Sequence, residues 1–151
     1  MQQKQTRNLL ISLLVFLGAG ALFGGSILCI APDGSLIGMP LSILGHSPFK
    51  NFLIPGVILF VLLGIAPVLL AIALVKQPVS NFAERINIFK DMQWPWSFCI
   101  YVSVVLIGWI QIQMVLLSAV HWLHTCYMFL SILIIIVTLL PGMRNLCKKD
   151  Q

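Results

Sequence analysis

Apolar and polar positions along this chain separate into blocks. Four long runs contain no Asp, Glu, Lys or Arg: residues 9–30, 52–75, 97–120 and 122–140. A helix rises 1.5 Å per residue, so about 20 residues reach across a hydrocarbon core roughly 30 Å thick. The pattern therefore predicts an all-α, integral membrane bundle of four transmembrane helices in a single domain. Its helices are expected at about 9–30, 52–75, 97–120 and 122–140. An outer loop (31–51), an inner loop (76–96) and a tail (141–151) connect or follow them.

The first connecting stretch, residues 31–56, reads APDGSLIGMPLSILGHSPFKNFLIPG. It holds four of the chain's eight prolines, yet it is rich in Leu, Ile, Met and Phe. Asp33-Gly34 is a turn signal. Pro40 before Leu41, Ile43 and Leu44, with Gly45 after them, fits one helical turn with proline at its start and glycine past its end. Ser47-Pro48 fits a second turn. A loop this apolar needs cover, so it is expected to fold back over the helix ends as a lid. Gly64 and Pro67 lie inside the second run, where a proline removes a backbone hydrogen bond and favours a kink. In the inner loop, Asn81 and Glu84 have capping-box spacing. Phe82, Ile86 and Phe89 then form an apolar stripe expected on a short interfacial helix. Trp94 and Trp96 mark the headgroup level before the third run.

In the first run Gly20 and Gly24 are four apart, as are Ala21 and Gly25. Small residues at that spacing let a second helix approach closely. The neighbour is either another helix of this chain or a second copy, a homo-oligomer seam.

Composition supports the membrane reading. The chain of 151 residues is 60% hydrophobic and 9% charged, against about a quarter charged in soluble domains. The net charge of +5 is not a nucleic-acid signal, because the cations flank apolar runs and form no continuous patch. Lys4, Arg7, Lys76, Arg85, Lys90, Arg144, Lys148 and Lys149 fall on one side, and Lys50 on the other. Eight of nine basic residues on one face predicts cytoplasmic N- and C-termini. The first run is too long for an ordinary signal peptide, which predicts a retained helix. None of the four cysteines forms a CxxC pair, which removes thioredoxin-like chemistry. Cys29 and Cys126 both fall near the outer face, where a disulfide can form in an oxidising compartment. Cys99 and Cys147 are on the inner side.

No Asp, Glu, Lys or Arg lies within the four runs. Pumps and proton-coupled exporters place such groups at membrane depth, so these classes are unsupported. The strongest polar group inside a run is Trp109-Ile110-Gln111-Ile112-Gln113. Its glutamines either hydrogen-bond between helices or form the polar floor of a ligand pocket walled by Trp109. On the outer face, Asp33, His46, His121 and His124 gather. His121 and His124, three apart, can present two imidazoles to a metal, or they simply mark the interface. No H-E-x-x-H or G-x-S-x-G pattern accompanies them. No cofactor is expected.

PDGS, GMP, SPF and LIPG in residues 32–56, WPW before the third run, GWIQIQ within it and the closing LLPG resemble a group of small four-span bacterial membrane proteins with no assigned activity. The likeness covers most of the chain, residues 76–96 excepted. It implies four spans and a bacterial inner-membrane location, and it carries no catalytic residue. The expected function is non-enzymatic: an accessory, structural or lipid-contacting membrane protein. The alternative is a ligand-handling protein, an enzyme on a lipid-like substrate or a small transporter. It would use Trp109, Gln111, Gln113, Asp33, His46 and His121 in a pocket between the outer loop and the last two helices.

Overall fold

Four helices of the computed structural model are long and apolar enough to cross a membrane: Gln3–Ile30, Leu53–Lys76, Trp94–Leu117 and Trp122–Leu139. The structure describes residues 2–45, 47–117 and 121–149. Among these, all regular structure is helical apart from one isolated bridge between Met92 and Lys148.

Helix α1 spans Gln2–Ile30, starting earlier than residue 9 because the glutamines and lysine that precede it are good helix formers. Leu10, Leu14, Leu17, Ala21 and Leu28 form its buried stripe. The second rod is α2 (Leu53–Ile58), a π segment (Leu59–Ile65) and α3 (Ala66–Lys76). Pro67 has no N–H and crowds the carbonyl four residues back. The backbone responds with wide turns N-terminal to it, and the Ala66 N–H reaches the Val61 carbonyl. The expected disturbance at Pro67 is thus a π segment.

Glycines bring α1 and the second rod together, and of those that the four-residue spacing singled out only Gly25 is among the tightest. A Cβ on Gly18 would lie 2.6 Å from Val68 Cγ2 and 3.0 Å from the Gly64 carbonyl. One on Gly25 would lie 2.8 Å from the Phe60 amide nitrogen and 2.9 Å from the Gly56 oxygen. Gly20 instead faces the Tyr127 hydroxyl, and Gly24 is in ordinary contact with Leu59. Helical geometry explains the shift: residues seven apart share a face as closely as residues four apart.

Helix α4 (Asn81–Ile86) is capped by Ser80, whose Oγ accepts from the Ala83 amide at 3.3 Å. The capping-box reading was therefore one residue off, and Glu84 is free for another task. The helix stops at Asn87, so Phe89 lies beyond it. Helices α5 (Trp94–Leu117) and α6 (Trp122–Leu139) pair along their length. The Ser131 hydroxyl donates to the Ser103 carbonyl at 2.9 Å, and the Trp96 indole to the Thr138 carbonyl at 2.8 Å. Residues 118–120, the expected end of the third run, lie outside the described residues.

The tail folds as well. Helix α7 (Pro141–Cys147) buries Met143 and Cys147. Its Gly142 lies against Thr6, since a Cβ there would be 3.0 Å from the Thr6 hydroxyl. Burial pushes the Cys147 thiol up to about 11, against the pull of nearby Arg7. All four cysteines are free thiols, Cys29 and Cys126 included.

The two ends of the bundle are built differently. At the basic end, Glu84 accepts from Lys149 Nζ at 2.6 Å, from the Trp94 amide and from Asn87 Nδ2. Asn87, 1% exposed, also accepts from the Ser97 hydroxyl at 2.6 Å and donates to the Met92 carbonyl at 2.7 Å. The Gln93 amide donates to the Cys147 carbonyl and the Lys149 amide to that of Asp91. Burial alone would raise the Glu84 pKa. The hydrogen bonds from Lys149, Asn87 and Trp94, and the Lys149 charge, outweigh it and hold the carboxyl below its ordinary value.

At the opposite end, Gly34 turns with φ +76. Short helical turns follow at Ser35–Ile37 and Leu41–Leu44, the second between Pro40 and Gly45. The Phe52 amide closes the loop on the Pro32 carbonyl at 2.8 Å. Leu44 and Phe52 pack on Leu28, with Met39, Leu59 and Leu117 around them. In the turn after Pro40, Leu44 is buried and Ile43 half-buried while Leu41 stays exposed, as do Leu36 and Ile37 before it.

Candidate functional site

A groove of about 220 Å³ opens between α5 and α6, toward the end where the chain passes from one to the other. From α5 it takes Gln111 and Met114, one helical turn apart. From α6 it takes His124, Thr125, Met128, Phe129 and Ile132, which recur at helical spacing on one face. Phe129 and Ile132 are exposed, so the groove opens sideways from the bundle. Its lining is overwhelmingly apolar, and two methionines give it walls that adapt to shape.

One titratable side chain lines the groove, that of His124. Its Nδ1 accepts from the His121 amide at 3.1 Å. That bond leaves the remaining proton of a neutral ring on Nε2. The two histidines therefore serve each other at the helix start. Among the described residues, no three His, Cys, Asp or Glu side chains gather as a metal would require.

The residues singled out from the sequence are spread over several places. Gln111 lines the groove; Trp109, Gln113, Asp33 and His121 do not. Trp109 is buried, 8% exposed, and its indole N–H has no hydrogen-bond partner. Gln113 is half-buried, and Gln111 is exposed. Neither amide makes a hydrogen bond among the described residues. The bonds between α5 and α6 come from Ser131 and Trp96 instead. Asp33 is exposed, and its carboxylate accepts from the Ser35 hydroxyl and amide at 2.8 and 3.2 Å, which hold its pKa below the ordinary value. It is occupied in its own turn. His46 lies outside the described residues.

What the sequence reading missed lies at the basic end: Glu84 and Asn87, and helix α7. A signal for α7 was present, because proline at a first helical position followed by a basic last turn marks a helix. Arg144 and Lys148, four apart, would then share a face.

These features define a class: an all-helical chain with four rods of membrane-spanning length and apolarity. Comparison with family models, curated proteins and solved structures finds no match that would take the identification further.

Proposed function

We propose that the chain is a non-enzymatic, four-span protein of a bacterial inner membrane, with both termini cytoplasmic, and that it holds a lipid acyl chain in the groove between α5 and α6. The groove carries the reading. It is apolar, opens sideways, and is lined by flexible methionines and by Phe129, 68% exposed. Its one titratable lining group, His124, is engaged by the neighbouring backbone. The outward faces of the rods support the setting, because Phe16, Phe23 and Leu69 also lie bare at 65%, 71% and 59%. Contiguous apolar surface of this kind needs a non-aqueous neighbour. Membrane lipids are the partners, and no nucleic acid is involved. Gly20 and Gly24 are already used inside the chain, by Tyr127 and Leu59, which favours packing within one copy over a homo-oligomer seam.

Purification in mild detergent, followed by mass spectrometry of retained lipid, tests the groove. Wild type should retain lipid, and Thr125→Trp, which fills the groove from an exposed position, should retain less than half as much. Equal retention would remove the groove from the account. Orientation is tested separately by labelling Leu36→Cys and Val79→Cys in a chain with Cys29 and Cys126 replaced by serine. Label reaching both from the same side would break the map.

A further inference from the structure

A second groove of about 220 Å³ lies at the basic end, where α6 gives way to α7. Leu139, Pro141 and Met92 line it together with Asp91, Arg144, Asn145 and Lys148. Asp91, Arg144, Asn145 and Lys148 are all exposed, and their side chains make no hydrogen bond or ion pair among the described residues. They stand apart from the neighbouring knot, where Glu84 and Lys149 are paired. The groove thus offers two cations, one carboxylate and one amide, beside an apolar wall at the last turn of a membrane-length helix.

We propose that this groove binds the headgroup of a phospholipid that carries both a phosphodiester and a primary ammonium, as phosphatidylethanolamine does. The inference rests on the membrane reading above. A phosphodiester accepts from the Arg144 guanidinium and the Lys148 ammonium, while the Asn145 amide can donate to it as well. The ammonium of the same headgroup donates to the Asp91 carboxylate. Leu139, Pro141 and Met92 take the start of the acyl region. Charge complementarity selects this headgroup. A phosphatidylglycerol phosphate would occupy the cations but leave Asp91 beside an anion with no cation to meet it. A choline would bring a cation with no N–H to donate.

Native mass spectrometry of the full chain in detergent, with phosphatidylethanolamine, phosphatidylglycerol and phosphatidylcholine of identical acyl chains, tests this. Wild type should prefer the ethanolamine lipid over each of the others by about fivefold, the effect of one interfacial charge. Asp91→Asn should erase the preference over phosphatidylglycerol. Arg144→Ala with Lys148→Ala should erase all headgroup selectivity, and Arg144→Lys should keep part of it. All four side chains are exposed and, among the described residues, unpaired, and an unchanged Tm establishes that each variant is folded. Absence of selectivity in wild type overturns the proposal, as does selectivity that survives both Asp91→Asn and the double variant. Displacement of the lipid by millimolar inorganic phosphate also overturns it, by assigning the groove to a soluble anion. A chain that fractionates away from membranes would instead overturn the membrane reading, while an integral chain without selectivity defeats this proposal alone.

Discussion

Two helix seams in this bundle follow opposite rules. Between α1 and the second rod the backbones close on glycine, with Gly18 facing Gly64 and Gly25 facing Gly56, and contact among the described residues is nearly all van der Waals. Between α5 and α6 the closures are hydrogen bonds, Ser131 to Ser103 and Trp96 to Thr138, and the far part stands open as a groove. In lipid there is no hydrophobic drive to press helices together, so close packing or polar bonds must hold them. The glycine seam leaves no room for a larger side chain at Gly18 or Gly25. The bonded seam leaves space where its bonds end, and there the groove opens.

The contrast can be broken from either side. The largest effect is expected for Gly25→Ala, whose methyl would meet backbone atoms of the second rod at 2.8–2.9 Å. Backbone cannot swing aside, so a loss of about 3 kcal/mol is expected, at the upper end for overpacking. It is read as a lower Tm in detergent. Trp96→Phe, which strands the Thr138 carbonyl, should cost about 2 kcal/mol by the same measurement. Glu84→Gln should cost about 0.5–1 kcal/mol, because its ion pair with Lys149 is about one-third exposed and screened. Glu84 also sets a pH dependence. Its carboxyl is held below the ordinary value near 4.5, so the stability it adds is present above that pH. It is lost as pH falls further, through the lowered value. Tm of wild type should drop across that window, and Glu84→Gln should drop less. Ser131→Ala should cost only about 0.6 kcal/mol, typical of a hydrogen bond between membrane helices. Gly108→Ala is the control: no neighbour lies within 4 Å of the added methyl. It should leave Tm unchanged or raise it slightly, by about 0.5 kcal/mol.

The rods were legible in the sequence because a run of apolar residues long enough to cross a bilayer has few other uses. Local turns were legible too: Asp33-Gly34, and Pro40 to Gly45, form where turn chemistry placed them. The glycine seam was only half legible. Spacing identifies small residues on a helix but not which face meets a partner, and the closest contacts fell to Gly25, which the spacing marked, and to Gly18, which it did not, rather than to Gly20 and Gly24. Glu84 was misread as a local cap because its partner Lys149 is 65 positions away, and a single sequence carries no sign of such a pairing. Helix α7 was passed over because its basic residues read as a solvated tail, although Met143 and Cys147 are buried. The candidate site suffered in the same way. Asp33, Trp109, Gln111 and Gln113 were chemically suggestive, but only three-dimensional packing could show that Gln111 lines the groove, beside His124, while the other three do not.

The 65-position reach between Glu84 and Lys149 also fixes an order of events during synthesis. The ribosome delivers α4 well before α7, so the Glu84 carboxylate is made long before its cation, while Asn87 finds Met92 and Ser97 within ten positions. The knot at that end is the last contact to close. A nascent chain arrested before α7 emerges would lack Lys149 and leave the Glu84 carboxylate without its cation.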